Sequence, residues 1–113
     1  NFFIMERIIC SSVWYKDLEF ERSDILDGFR PFNTDRGVVF SGWRHPNCIY
    51  QMCAIFGKRS VTSEVGEYVQ GFLTDKNRFV DRKEGYLIAK SSNQLIDNSD
   101  RSGKTILFSE DIY

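Results

Sequence analysis

The stretch QGFLTDKNRFVDRKE, Gln70 to Glu84, holds the transitions that decide the fold. Together with the residues before it, Tyr68 to Leu73 (YVQGFL) reads as a strand of aromatic and β-branched residues. Asp75-Lys76-Asn77 supplies turn formers, and a short strand resumes around Arg78-Phe79-Val80. Asp81 then stands at the start of a helix with Glu84 three residues on, the spacing of a capping box in its Asp variant. Neither the turn nor the cap calls for Arg78, Arg82 or the ring of Phe79 between them. Those residues are candidates for function.

Working outward, Met5 to Tyr15 (MERIICSSVWY) and Gly37 to Trp43 (GVVFSGW) suit two further strands. Pro46 to Phe56 (PNCIYQMCAIF) is the clearest helix, because Ile49, Met52, Cys53 and Phe56 recur at i, i+3, i+4 and i+7. Pro46 fits its first turn and Gly57 its C-terminal cap. The helix opened by Asp81 should end near Ser92-Asn93. Gly85 inside it costs about 0.8–1 kcal/mol relative to alanine, which suggests a close backbone approach. Thr105 to Phe108 (TILF) is expected to add a last short strand. Lys16 to Arg36, with Phe20, Ile25, Leu26, Phe29 and Phe32 among turn formers, reads as a long loop, a feature usually kept for function or an interface. The expected fold class is α+β: a small, mainly antiparallel β-sheet with two helices.

At 113 residues the chain is expected to form a single ligand-binding domain. Asn1 to Ile4 precede Met5, and MERIICSSVWY resembles a natural start, so residues 1–4 are a candidate cloning remnant. The net charge of −1 and the scattered lysines and arginines argue against duplex nucleic acid as a partner, since such binding rests on many phosphate contacts. Nine arginines against six lysines lean toward bidentate anion recognition. Three cysteines, Cys10, Cys48 and Cys53, form no paired framework and fit a reducing compartment. Cys48 and Cys53 lie about 140° apart around a helix, too divergent to share a metal. No apolar run reaches the ~18–20 residues of a membrane span, so no membrane partner is expected.

Chemistry enters at two places. GWRHP, Gly42 to Pro46, joins a strand to a helix start whose first turn holds no carboxylate, with Arg44 and His45 beside it. Backbone N–H groups and the helix dipole make such a junction a candidate phosphate site; the competing reading pairs Arg44 with a surface acid, puts Trp43 in the core and leaves His45 a neutral cap. In the opening stretch Asp81 already answers the helix N-terminus, so there Arg78 and Arg82 would reach a diphosphate from the side. Asn77 or Asp81 would accept from ribose hydroxyls, and Phe79 or Phe72 would stack on a purine, an interaction worth about 1–3 kcal/mol per base. Core packing competes for both rings. For catalysis the sequence is poor: His45 is the only histidine, and no Ser, Cys or paired acid accompanies it in a recognisable order. No glycine-rich phosphate loop, catalytic set, cofactor or metal site is expected.

Trp43-Arg44-His45, Gln70 to Thr74 (QGFLT), Asn77 to Glu84 (NRFVDRKE) and the closing Phe108 to Tyr113 (FSEDIY) together resemble the first Thoeris anti-defence family, small phage proteins that act as sponges. The resemblance spans Gly42 to Tyr113, and its most specific block is RFVDR. It implies a non-enzymatic protein in the cytoplasm of the infected bacterial host. Such a protein sequesters cyclic ADP-ribose isomers, without cleaving them, at the interfaces of homodimers or hexamers built from dimers. Some members also hold cyclic oligonucleotides at separate sites. Carried onto matching positions, the ligand candidates are Arg44, His45, Phe72, Asn77, Arg78, Phe79, Asp81 and Arg82. The chain departs from the family pattern in its longer Lys16 to Arg36 loop and in Gly85-Tyr86 after Glu84. Two other classes remain open: a nucleotide-processing enzyme using His45 as acid or base, and a protein inhibitor of a host enzyme using the Phe20 to Phe32 loop.

Overall fold

The computed structural model describes residues 5–19, 30–57, 65–96 and 105–113; expectations for residues 1–4 and for Phe20, Ile25, Leu26 and Phe29 lie outside them. Four strands, β1 (Ile8–Tyr15), β2 (Val38–Gly42), β3 (Tyr68–Thr74) and β4 (Phe79–Asp81), form one antiparallel sheet in the order β2-β1-β3-β4. Two helices, α1 (His45–Phe56) and α2 (Arg82–Ser91), follow β2 and β4 directly. The fold is α+β, as the patterning implies.

The register explains how the helices share one face of the sheet. Val13 on β1 lies opposite Phe40 on β2 and Gln70 on β3, while Ser11 lies opposite Phe72, which in turn faces Val80 on β4. Side chains two apart on a strand point the same way, so this face carries Val13, Tyr15, Phe40, Phe72 and Val80. Its β1–β2 half packs against Cys48 and Met52 of α1. The β3–β4 half, with Ile8, packs against Tyr86 and Ala89 of α2 and against Leu107 from the C-terminal segment.

Local signals set the helix ends. Gly57 closes α1 in the left-handed region at φ 64°, and its N–H donates to Cys53 O at 2.9 Å. Asp81 caps α2 by accepting from Glu84 N at 2.8 Å. The second arm of the expected capping box is diverted, because the Glu84 carboxylate accepts instead from Arg78 Nη2 at 2.7 Å. The close approach expected at Gly85 is present: a Cβ there would stand 3.1 Å from Phe72 Cδ2.

The expected last strand at Thr105 to Phe108 does not form. Leu107 N donates to Arg82 O at 2.9 Å and its side chain is fully buried, after which Ser109–Asp111 make a 3-10 turn. The physical reason lies at the sheet edge. Phe79 on β4 donates to Asn33 Oδ1 at 2.8 Å and accepts from Asn33 Nδ2 at 2.5 Å, so one side chain takes the place of a neighbouring strand there. The C-terminal segment is drawn under α2 instead.

Gly71 is the tightest point of the sheet, since a Cβ there would sit 2.0 Å from the main-chain oxygen of Val80. Gly71→Ala therefore forces β3 and β4 apart, and chemical denaturation should show a loss of about 3 kcal/mol, the upper end for overpacking a close-packed site.

Candidate functional site

The starts of α1 and α2 converge above β3, and the C-terminal 3-10 turn closes the third side. Between them lies a cleft of about 380 Å³ lined by Arg44, His45, Gln70, Arg82, Phe108 and Glu110, among others. Each wall has a local cause. Arg44 and His45 sit where β2 passes into α1, Gln70 projects from the helix-covered face of β3, and Arg82 is the first residue of α2.

His45 is 5% exposed and set edge-on against Phe72, ring centroids 5.2 Å apart. Its Nε2 lies 2.8 Å from Gly71 O. A carbonyl only accepts, so Nε2 carries the proton and Nδ1 turns its lone pair toward Arg82 Nη2 at 3.5 Å. Burial pushes the imidazole below its ordinary pKa; the Gly71 carbonyl works against that, and the Arg82 charge adds to it. His45 is thus a neutral strut between the sheet and the guanidinium.

Arg82 donates to Leu107 O and to Gln70 Oε1, both at 3.0 Å, and lies 4.8 Å from the centre of the Phe108 ring. Burial pulls its pKa down from the usual value, but a guanidinium remains protonated at any working pH. Arg44 is held between the Trp43 and Tyr113 rings, at 4.6 and 5.2 Å. It donates to Ser109 Oγ at 3.0 Å, to Tyr113 O at 2.8 Å and to Glu110 Oε1 at 3.4 Å. The Ser109 hydroxyl, more than Arg44, holds the Glu110 carboxyl below its usual range. Arg44 and Arg82 thus bring two guanidinium groups to the cleft, with the exposed Glu110 carboxylate paired to Arg44 and both Glu110 and Asp111 near enough to act on Arg82.

The row of N–H donors expected at the start of α1 is shorter than the sequence suggests. Pro46 has none, and Asn47 N and Cys48 N turn back to Arg44 O at 3.0 and 3.4 Å. An anion here meets guanidinium groups and the helix dipole rather than a nest of amides.

Of the eight sequence candidates, Arg44, His45 and Arg82 share this cleft, and Phe72 is the fully buried ring beneath His45. Asn77 forms the β3–β4 turn at φ 56°. Phe79 is buried against the Trp14 ring, and together with Asp81 it borders a separate hollow of about 260 Å³ beside Trp14 and Lys16. Arg78 is gripped by Glu6 at 2.8 and 2.9 Å and by Glu84 at 2.7 Å, away from the cleft. That ion-paired knot ties the chain before β1 to α2 and accounts for one of the two arginines that the turn and cap leave unexplained. Gln70, Phe108, Ser109 and Glu110 line the cleft without having been singled out as ligand residues. Their signal was present in QGFLT and FSEDIY, quoted above only as pattern.

A family model described as phage T4 y16D protein matches residues 7–113, from β1 through the last residue, and so includes every residue of the cleft. The chain belongs to the phage T4 y16D protein family. No curated protein and no solved structure matches it. Family membership makes this a phage protein. Among the described residues no helix is long and apolar enough to cross a membrane, and no three His, Cys, Asp or Glu side chains gather as a metal site.

His45 links the cleft to pH. Its folded pKa lies below its unfolded value of about 6.5, so the unfolded chain takes up the proton first, and stability is lost as pH falls through that window. Glu6, held below its ordinary value chiefly by Arg78, adds its loss only in more acidic solution. Thermal melts should show Tm falling between about pH 7 and pH 5, and His45→Gln, which removes the only histidine, should flatten that slope.

Proposed function

We propose that the Arg44–Arg82 cleft binds a small purine nucleotide bearing a diphosphate and holds it unchanged, the ligand being an isomer of cyclic ADP-ribose. On this reading the protein blocks activation of a host Thoeris effector in the cytoplasm of the infected cell by sequestering its signal. The observation that carries the reading is that two guanidinium groups on different elements face one concavity of about 380 Å³, within the range of about 300–1,000 Å³ typical of small-molecule sites. Arginine forks match phosphate oxygens, and Phe108, 42% exposed beside Arg82, offers a ring to a base.

Binding is favoured over turnover by the state of His45. One ring nitrogen is committed to Gly71 O and the other faces a cation, so neither is placed to pass a proton to a substrate. The resemblance of the WRH, QGFLT, RFVDR and FSEDIY blocks to the sponge family points the same way. Membership of the y16D family agrees with a phage role and is silent on the ligand.

The test is retention. Protein incubated with each cyclic ADP-ribose isomer, stripped of excess and heat-denatured should release intact ligand, detected by mass spectrometry. Arg44→Glu and Arg82→Glu should each weaken binding by about 10-fold to 100-fold, the value of a charge-assisted hydrogen bond at ~1.5–3 kcal/mol. Arg78→Glu should lower stability through Glu6 and Glu84 and leave affinity near that of the wild type. Hydrolysed product in the released fraction, or normal binding by both cleft variants, would sink the proposal.

A further inference from the structure

Gln70 is a polar side chain on the face of β3 that the helices cover. Tyr68, Gln70 and Phe72 share that side of the strand, and the two aromatic residues flanking Gln70 pack with the core clusters. The covered face of an antiparallel sheet is normally apolar, and an amide placed there costs free energy unless its oxygen and nitrogen are both answered. Here only the oxygen is. Arg82 Nη2 lies 3.0 Å from it. A guanidinium only donates, so the amide atom facing Arg82 is Oε1, and Nε2 with its two hydrogens is turned elsewhere. No described residue accepts from Nε2. Tyr15 Oη is the only fully buried polar side-chain atom without a partner among the described residues, so Nε2 is open to solvent, and Gln70 meets solvent at the cleft.

The cleft floor is therefore sorted by polarity. His45 Nδ1 and Gln70 Oε1 both face Arg82, and Ser109 Oγ accepts from Arg44, so these acceptors are already engaged. Arg44 and Arg82 bring charged donors to a ligand, and Gln70 Nε2 adds a neutral one from β3. The Glu110 carboxylate, mostly exposed, stands as an acceptor at the rim.

We propose that Gln70 is a ligand residue whose Nε2 donates to an oxygen of a phosphoryl group that Arg82 and Arg44 hold by charge. The inference rests on the anion reading of the cleft and adds which part of a nucleotide lies deepest. A phosphoryl group brings acceptors alone and suits such a floor. A ribose hydroxyl or the amino edge of adenine also brings hydrogens, which meet donors at the floor and find their acceptor in Glu110. The diphosphate thus goes inward and the nucleoside outward, toward Phe108 and Glu110. A neutral amide serves here better than a third arginine. It adds a hydrogen bond without repelling Arg82, and because Oε1 is already pinned, it loses little side-chain freedom on binding.

The test titrates the isotope-labelled full chain with ADP and, separately, with adenosine, both into the millimolar range, following side-chain amide signals by NMR. ADP should shift the Nε2 proton pair of Gln70, and adenosine should leave it in place. Gln70→Glu keeps an oxygen for Arg82 and exchanges the donor for a carboxylate, so its Kd for ADP should rise about 100-fold with Tm no lower than that of the wild type. Gln70→Met removes the donor without adding charge and should weaken ADP binding about 10-fold. The inference is overturned by a Gln70 signal that ADP leaves unmoved, by one that adenosine shifts as far as ADP does, or by a folded Gln70→Met chain that binds ADP as the wild type does; the anion reading of the cleft survives each of these. A wild type that binds no ADP overturns the inference as well, and the anion reading falls with it when no cyclic ADP-ribose isomer is retained either.

Discussion

The ring of Phe72 is the constraint on which the rest of the structure depends. It is fully buried on β3 and is met from two directions, by the His45 ring at the start of α1 and by the backbone of α2 at Gly85. A side chain at position 85 would press on the ring, and so would a shift of α1 toward α2. The ring therefore fixes the gap between the two helix starts. The same packing leaves room for Leu107, whose Cδ2 lies 3.5 Å from where a Cβ of Gly85 would stand, and so brings the C-terminal segment beneath α2. The cleft follows from this. Its floor is set by Phe72, His45 and Gln70, its sides by Arg44 and Arg82, and its far wall by the turn that Leu107 anchors.

Once the helix starts are fixed, electrostatics divides the arginines between structure and site. Arg78 meets two carboxylates, Glu6 and Glu84, which raise its pKa, and Arg78 in turn holds that of Glu6 down; its charge is spent within the fold. Arg82 has carbonyl and amide oxygens as partners and keeps its charge uncompensated by a direct ion pair among the described residues. Arg44 pairs with one side-chain carboxylate among the described residues, that of Glu110, which is 73% exposed. Exposed ion pairs contribute little to stability, about 0–1 kcal/mol. The Arg44–Glu110 pair is thus the most exchangeable of the cleft's interactions, while the aromatic planes on both sides of Arg44 hold the guanidinium in place whichever anion it faces.

Much of this was legible in the sequence because it is written locally. Asp81, Gly57 and Gly85 announce a cap, a stop and a close approach by residue type alone, and the structure has all three. Strand identity followed from β-branched and aromatic runs, with ends displaced by a residue or a few. The site was legible only in part. RFVDR reads as a unit, yet Arg78 and Arg82 belong to different neighbourhoods, because Arg78 stands before β4 between Glu6 and Glu84 whereas Arg82 opens α2 toward His45 and Gln70. The tail failed for a different reason. TILF has the composition of a strand, but its path is set by tertiary contacts: Tyr113 Oη reaches Ser11 N at 3.2 Å across 102 residues and also bonds Trp43 O. No window of local sequence contains that information. The loop expected to matter, between Lys16 and Arg36, is described only at its ends, where Asn33 closes the β4 edge.

Glu110 governs which anions the proposed site can prefer. Any ligand that approaches Arg44 must share it with a carboxylate already hydrogen-bonded to Ser109 Oγ at 2.7 Å. A ligand with one carboxylate merely exchanges one pair for an equal one, and the desolvation of its own charge goes unrecovered. A diphosphate differs in kind. Its oxygens are numerous enough to engage Arg82 as well as Arg44, and among the described residues Arg82 has no directly paired carboxylate to release. The second contact is then a net gain, made in a partly buried setting where charge-assisted hydrogen bonds are strongest. On the proposed reading, affinity would grow with the number of phosphoryl groups that reach both guanidinium groups, which is why that reading names a diphosphate rather than a lone carboxylate or a single phosphate.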